Sequence, residues 1–378
     1  MQLGLDGKSH KIIKIDFSKI AAKQKVSEVD WNHRLHCKTA LLLKEMADES
    51  FIYFACSRGR SHQPNTTKVY KDKRGVSGVV LRFKLKSNGD LPENYDKYFL
   101  TSLRGAKDGT GFDTGVYNVG AQITSFKNSL LLATANGPVA FNEENYGCSI
   151  VRLKDDLTVF KKNERKQVIT IFGDNSTKCW DENIEFTNSP PNIMKLGPNK
   201  YLAISFAKNG TLYYFDPDEF DEKSYPPKKI DLGGRYNNYG KVLTAKVKGS
   251  YFVYAISFNK YKKYRPGIHA FEYNRVTEKL ERRWNYELPE GYMPSRNHAI
   301  ISQDYKGKNG VVIFTAHKSN KDNLGKIKST IYFVDVGSGK LKSKLNITGE
   351  PHFSTILVHN KFLIVTTRPK GMSVFKQK

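Results

Sequence analysis

The chain has 378 residues, 39% of them hydrophobic and 12% aromatic, and its 62 Lys and Arg against 37 Asp and Glu give a formal net charge of +25. That composition excludes a disordered polymer, and no run approaches the roughly 18 apolar residues that a bilayer-crossing helix needs. A positive excess of this size repels itself and attracts polyanions, so it points to an acidic partner: sulfated glycan, acidic protein, anionic lipid or nucleic acid.

Along the chain, Met1–Lys8 is polar and unlike a secretory leader, so a secreted form is expected to begin at its mature end with an added Met. Lys11–Phe17 (KIIKIDF) reads as a strand, and Phe17–Lys25 as a short helix with a basic polar side. Strand signals then dominate, because β-branched and aromatic runs recur between Gly, Asn, Asp and Pro. The first group is Phe51–Cys56 and Val79–Leu85, and the second is Ala121–Phe126, Ser129–Ala135, Ser149–Leu153 and Leu157–Phe160. A third is Asn192–Leu196, Tyr201–Phe206 and Thr211–Phe215, and a fourth is Val242–Val247, Tyr251–Phe258, His269–Tyr273 and Lys279–Trp284. The fifth runs over His298–Ser302, Val311–Ala316, Thr330–Val336 and Lys340–Leu345, and the last over Ser354–Val358, Phe362–Thr367 and Met372–Phe375.

The groups rhyme. Each has a short strand, a Lys/Asn/Gly turn, a hydrophobic strand ending in Ala or Ser, a polar loop and a further strand. Central strands recur every ~50 to 60 residues, the period of four-stranded propeller blades with variable loops. The expectation is an all-β, single-domain chain over residues 1–378: a β-propeller of six blades, or seven if Gln167–Phe172 supplies another. Lys11–Phe17 would give the last blade its outer strand and close the ring, removing exposed sheet edges.

Four cysteines allow three pairings, and the two sequence-local ones, Cys37 with Cys56 and Cys148 with Cys179, are expected. Sequons stand at Asn65, Asn175, Asn209 and Asn346. Paired cysteines with several sequons point to a secreted, extracellular glycoprotein.

Enzyme and cofactor motifs are missing from the sequence: no HExxH, GxSxG, P-loop or Cys-based zinc pattern occurs. Gly105–Gly120 lacks the GxGxxG spacing, because Thr114 stands where the third Gly belongs, and it reads as an inter-blade loop. His33 and His36 share a spacing of three with no third ligand fixed, and His298 and His352 each open a strand group without a visible base–orienter pair. No metal, cofactor or catalytic residue is expected.

Basic and aromatic residues interleave in loops. Lys260, Tyr261, Lys262, Lys263, Tyr264 and Arg265 alternate rings with cationic heads. Arg58 and Arg60 with Lys71, Lys73 and Arg74 form a second basic loop, and Lys161, Lys162, Arg165 and Lys166 a third. Two or more projecting from one rim would make a polyanion-binding face. Nucleic acid is disfavoured, since secretion removes it from reach and no RNP-type aromatic pair or zinc finger appears.

In size, Lys excess, paired cysteines and lack of enzymatic motifs, the chain resembles the basic secreted salivary proteins of mosquitoes and related blood-feeding flies. The stretch His33–Arg60 (HRLHCKTALLLKEMADESFIYFACSRGR) carries the likeness most clearly. The resemblance implies a non-catalytic saliva component that binds a host haemostatic factor, a sulfated glycan or a mouthpart cuticular protein. The reading is therefore a monomeric, non-catalytic binder of a protein or an acidic polymer. The alternatives are a lyase or hydrolase of an acidic glycan, with channel His, Tyr and Arg as its chemistry, and an inert scaffold.

Overall fold

The computed structural model describes residues 2–3, 9–11, 15–24, 35–36, 41–58, 78–101, 123–135, 139–141, 144–171, 186, 191–221, 223–232, 242–258, 265–295, 299–304, 306–318, 328–351, 356–359, 361–367 and 371–376. The chain divides into two compact units, Met1–Glu185 and Phe186–Lys378. Both are built from antiparallel sheets whose main strands follow one another in chain order. Among the described residues the one helix is Ser18–Gln24, where the sequence places it.

Among the described residues, the first unit holds two sheets of four or more strands. The first runs Leu42–Met46, Glu49–Arg58, Val79–Lys84 and Lys97–Leu100, with Leu35–His36 also paired to the end of the second strand. The second runs Thr124–Phe126, Ser129–Ala133, Ser149–Lys154 and Val168–Thr170. Two short hairpins interrupt it, Val139–Ala140 with Asn145–Tyr146 and Lys161–Lys162 with Arg165–Lys166. Val168–Thr170 completes this sheet, so the Gln167–Phe172 region does not start a further one.

Strand period explains the packing. Successive side chains leave opposite faces, so a strand covered on both sides must be apolar at every position. On Glu49–Arg58, Phe51, Tyr53 and Ala55 pack with Leu130, Leu132, Val151 and Leu153 of the second sheet. Ile52, Phe54 and Cys56 face the other way, with Phe17 and Ile20. The expected closing strand Lys11–Phe17 is described only at its two ends. Ser9–Lys11 pairs with Gln2–Leu3, and Ile15–Phe17 forms no strand, because Phe17 is buried against the first sheet. Ile12–Lys14 lie outside the described residues.

Among the described residues, the second unit holds four sheets. The third runs Asn192–Lys195, Tyr201–Phe206, Thr211–Phe215 and Lys228–Asp231. The fourth runs Val242–Val247, Ser250–Ser257, Gly267–Asn274 and Lys279–Glu287. The fifth runs Ile300–Gln303, Gly310–Lys318, Lys328–Asp335 and Leu341–Thr348, with Tyr292–Pro294 also on the second strand. The sixth has three described strands, Ile356–His359, Phe362–Thr367 and Gly371–Lys376.

Within this unit the sheets pack face to face in order. Tyr251, Val253 and Ala255 join Leu202, Ile204 and Phe206 of the third sheet, while Phe252, Tyr254 and Ile256 join Val312, Phe314 and Tyr332 of the fifth. Ile313 and Ile331, on the fifth sheet's other face, meet Leu363 and Val365 of the sixth. Full burial of each such side chain stabilises by roughly 1.5–3 kcal/mol, which makes these interleaved faces the main source of cohesion.

Candidate binding surface

The third basic loop is a hairpin. Lys161 lies opposite Lys166 and Lys162 opposite Arg165, around a two-residue turn at Asn163–Glu164. Both turn residues have positive φ, 48° and 62°, the backbone of the tight turns that suit twisted hairpins. Like charges directly opposite one another across a strand pair are destabilising, so this register concentrates charge at a cost to the hairpin. Lys166 turns inward: its ammonium donates to the Phe141 carbonyl and sits 5.7 Å from the Tyr146 ring centroid. Burial holds the Tyr146 phenol well above its ordinary pKa. Lys161 and Arg165 are exposed.

The other predicted loops are seen only at their edges. Arg265 is exposed and pairs with Glu287 at 3.9 Å, while Lys260, Tyr261, Lys262, Lys263 and Tyr264 lie outside the described residues. Arg58 ends a strand, and Arg60, Lys71, Lys73 and Arg74 fall outside the description. Both of these loops join the second strand of a sheet to the third, whereas the Lys161–Lys166 hairpin lies between a third and a fourth. In an antiparallel sheet those two connections leave from opposite ends of the strands.

Cys56 and Cys148 are disulfide-bonded and fully buried, and Cys37 and Cys179 lie outside the described residues. Asn209 occupies a hairpin turn, where its side-chain oxygen accepts from the Thr211 amide at 3.0 Å. Asn346 is exposed on an outer strand, with Thr330 Oγ1 donating to its side-chain oxygen at 3.2 Å. Asn65, Asn175, His33, His298, His352 and the Gly-rich loop, with Thr114, lie outside the description, and His36 is seen only as backbone.

Three polar constellations escaped the sequence reading. In the first unit, the ammonium of Lys44 pairs with the Asp155 carboxylate. Tyr53 and Arg82 each donate to the Asp155 carbonyl at 3.0 Å. Arg82 also pairs with Asp96 and lies 4.6 Å from the Phe51 ring centroid. Burial, then the Asp155 charge, pushes the Tyr53 phenol upward. This network locks a turn of the second sheet onto the face of the first.

In the fourth sheet, His269 is 1% exposed and its Nδ1 lies 2.8 Å from an Arg282 nitrogen. Desolvation, then the Arg282 charge, lowers its pKa from 6.5 to about 3, so the imidazole is neutral and Nδ1 accepts. In the fifth sheet, the Ser295 hydroxyl is 3.1 Å from His317 Nδ1, and His317 Nε2 is 3.9 Å from Glu350. The residue types are those of a hydrolytic triad. Ser295, however, is 2% exposed, so its hydroxyl does not meet a substrate in this arrangement.

No family model matches the chain, and no curated protein matches it. Solved structures give distant likenesses. A putative 6-phosphogluconolactonase from Bacteroides fragilis shares 15% identity over 90% of this chain and 80% of its own, with a TM-score of 0.46. BamB from Moraxella catarrhalis shares 12% over 91% and 98%, with a TM-score of 0.35. The Cps50 (Swd1) β-propeller domain of Myceliophteria thermophila shares 10% over 91% and 99%, with a TM-score of 0.41. At these scores the likenesses carry no argument about the site.

Proposed function

We propose that this chain is a secreted, non-catalytic binding protein that engages an acidic partner through lysine-rich strand ends. The observation that carries the reading is the Lys161–Lys166 hairpin, whose register sets cation against cation in a chain of net charge +25. Solubility is met by a much smaller imbalance, and a solvated hairpin has no need of like charges across its strands. The exposed Lys161 and Arg165 are where an anion would meet this hairpin.

The disulfides at Cys56 and Cys148 support an oxidising compartment, and the pairings proposed are Cys37–Cys56 and Cys148–Cys179. The likeness to basic salivary proteins points the same way. For the fold, we propose a six-bladed β-propeller. The chain-order meander of the sheets and the face-to-face packing of successive sheets within each unit support it. The test is retention on an immobilised sulfated polysaccharide during a salt gradient. Release that tracks ionic strength is the expected result, and flow-through at low salt would overturn the reading.

A further inference from the structure

We infer that the first-to-second strand turns of the third, fourth and fifth sheets form a binding site for a sulfated polysaccharide. Its centre is the groove between Asn192–Lys195 and Val242–Val247. The inference rests on the reading above and gives it a place and a ligand. The groove has a volume of about 430 Å³. Its lining combines Ile193, Met194 and Ala245 with Lys195, Lys246 and Tyr251, and contains no carboxylate. Lys195 and Lys246 are exposed, and neither has an ion pair among the described residues.

The turns are fixed to one another by hydrogen bonds. Tyr251 donates its hydroxyl to the Leu196 carbonyl at 3.0 Å, tying the fourth sheet to the third-sheet turn. Arg275 reaches the same carbonyl at 3.3 Å, with its guanidinium 4.8 Å from the Tyr251 ring centroid. On the other flank, the Lys248 amide donates to the Gly307 carbonyl at 3.0 Å, and Gln303 donates to the Lys246 carbonyl at 3.1 Å. Gly307 is required there: its φ is +64°, and a Cβ would lie 2.6 Å from the Lys246 carbonyl oxygen. Lys248 contacts Gly307 through its amide, Lys308 follows Gly307 in the chain, and both lysines are exposed.

Two neighbouring carboxylates have other partners, although Asp304 keeps its charge. Glu278 pairs with Lys200, and the Asp304 carboxylate accepts from the Lys308 and Asn309 amides in its own turn. What remains is a set of exposed lysines on the turns, with the Lys246 ammonium 5.5 Å from the Tyr251 ring centroid, beside the apolar Ile193, Met194 and Ala245. Lysine is a compact point charge without the planar fork that suits bidentate recognition, and it suits a repeating, rotatable sulfate. The C–H faces of sugar rings match the apolar residues of the groove. The buried disulfides favour an extracellular polymer over nucleic acid.

The experiment is calorimetry of the full chain with a heparin-derived octasaccharide at low salt. Four proteins are compared: wild type, Lys195→Glu/Lys246→Glu, the charge-keeping Lys195→Arg/Lys246→Arg, and Lys161→Glu/Arg165→Glu at the hairpin of the first unit. The groove reversal is expected to weaken binding about tenfold or more and to flatten its salt dependence, and the arginine variant to bind within about threefold of wild type. Near-UV circular dichroism confirms that each variant is folded. Wild-type binding that survives the groove reversal but is lost in the hairpin variant would overturn this site and leave the function standing. Absence of wild-type binding would overturn both.

Discussion

Lowering the pH should weaken the second unit through one buried side chain. His269 sits on Gly267–Asn274, with the strands Ser250–Ser257 and Lys279–Glu287 on either side. Its folded-state pKa is about 3 against 6.5 for an unperturbed imidazole, first from desolvation and then from Arg282. Between those values the unfolded chain binds the proton and the folded chain does not, so stability falls as pH falls through that window and is level above it. At 1.36 kcal/mol per unit, the loss is about 2 kcal/mol at pH 5 and approaches roughly 5 kcal/mol at pH 3. His269→Gln keeps an acceptor for Arg282 and removes the titration. The assay is urea unfolding of both proteins at pH 7.5 and pH 5, followed by far-UV circular dichroism and tryptophan fluorescence. The wild type should lose about 2 kcal/mol more than the variant, other titrations cancelling in the difference. Parallel losses would refute the buried neutral imidazole.

Other outcomes follow from particular contacts. Asp155→Ala removes the partner of the largely buried Lys44 ammonium and should lower the stability of the first unit by about 2–4 kcal/mol, read by urea unfolding. Gly307→Ala forces a Cβ against the Lys246 carbonyl at positive φ and should cost about 1–3 kcal/mol, with a matching loss of octasaccharide affinity. Tyr251→Phe deletes one hydrogen bond to the Leu196 carbonyl and should cost about 1 kcal/mol in the same unfolding assay. Peptide mapping without reduction should recover Cys37 linked to Cys56 and Cys148 linked to Cys179, and any other linkage refutes the proposed pairing.

The strand series was legible because burial on both faces demands unbroken apolar runs, as in Tyr251–Phe258 and Val311–Ala316. Leu42–Met46 and Lys97–Leu100 escaped because an inner and an outer strand are half-exposed and carry Lys and Glu among their apolar residues. Leu157–Phe160, read as a strand, contributes only an isolated bridge from Val159 to Leu153, since the turn at Asp155–Asp156 is held by side-chain bonds. In Lys11–Phe17, Phe17 covers the first sheet, a placement that an aromatic residue at a strand edge does not announce. Sequence spacing carries no sign of which sheet Phe17 covers.

The site divides in the same way. Lys in the turn of each repeated unit was visible, at "IMKLGPNK", "LTAKVKGS" and "QDYKGKN". What joins those turns was not visible, because the bonds from Tyr251 to Leu196 and from Lys248 to Gly307 span residues more than fifty apart in the chain. Lys44–Asp155 was hidden for the same reason, and His269–Arg282, only 13 residues apart, because the strand pairing decides which side chains meet. Each needs a register or a face-to-face packing that composition does not encode.

Binding of an acidic partner is best tested by comparing the affinity of the intact protein for sulfated and chemically desulfated forms of one polysaccharide. The series runs from about 50 to about 300 mM salt. Binding to the sulfated form alone is expected, with log affinity falling linearly against log salt. Equal binding to both forms, or affinity indifferent to salt, would contradict it.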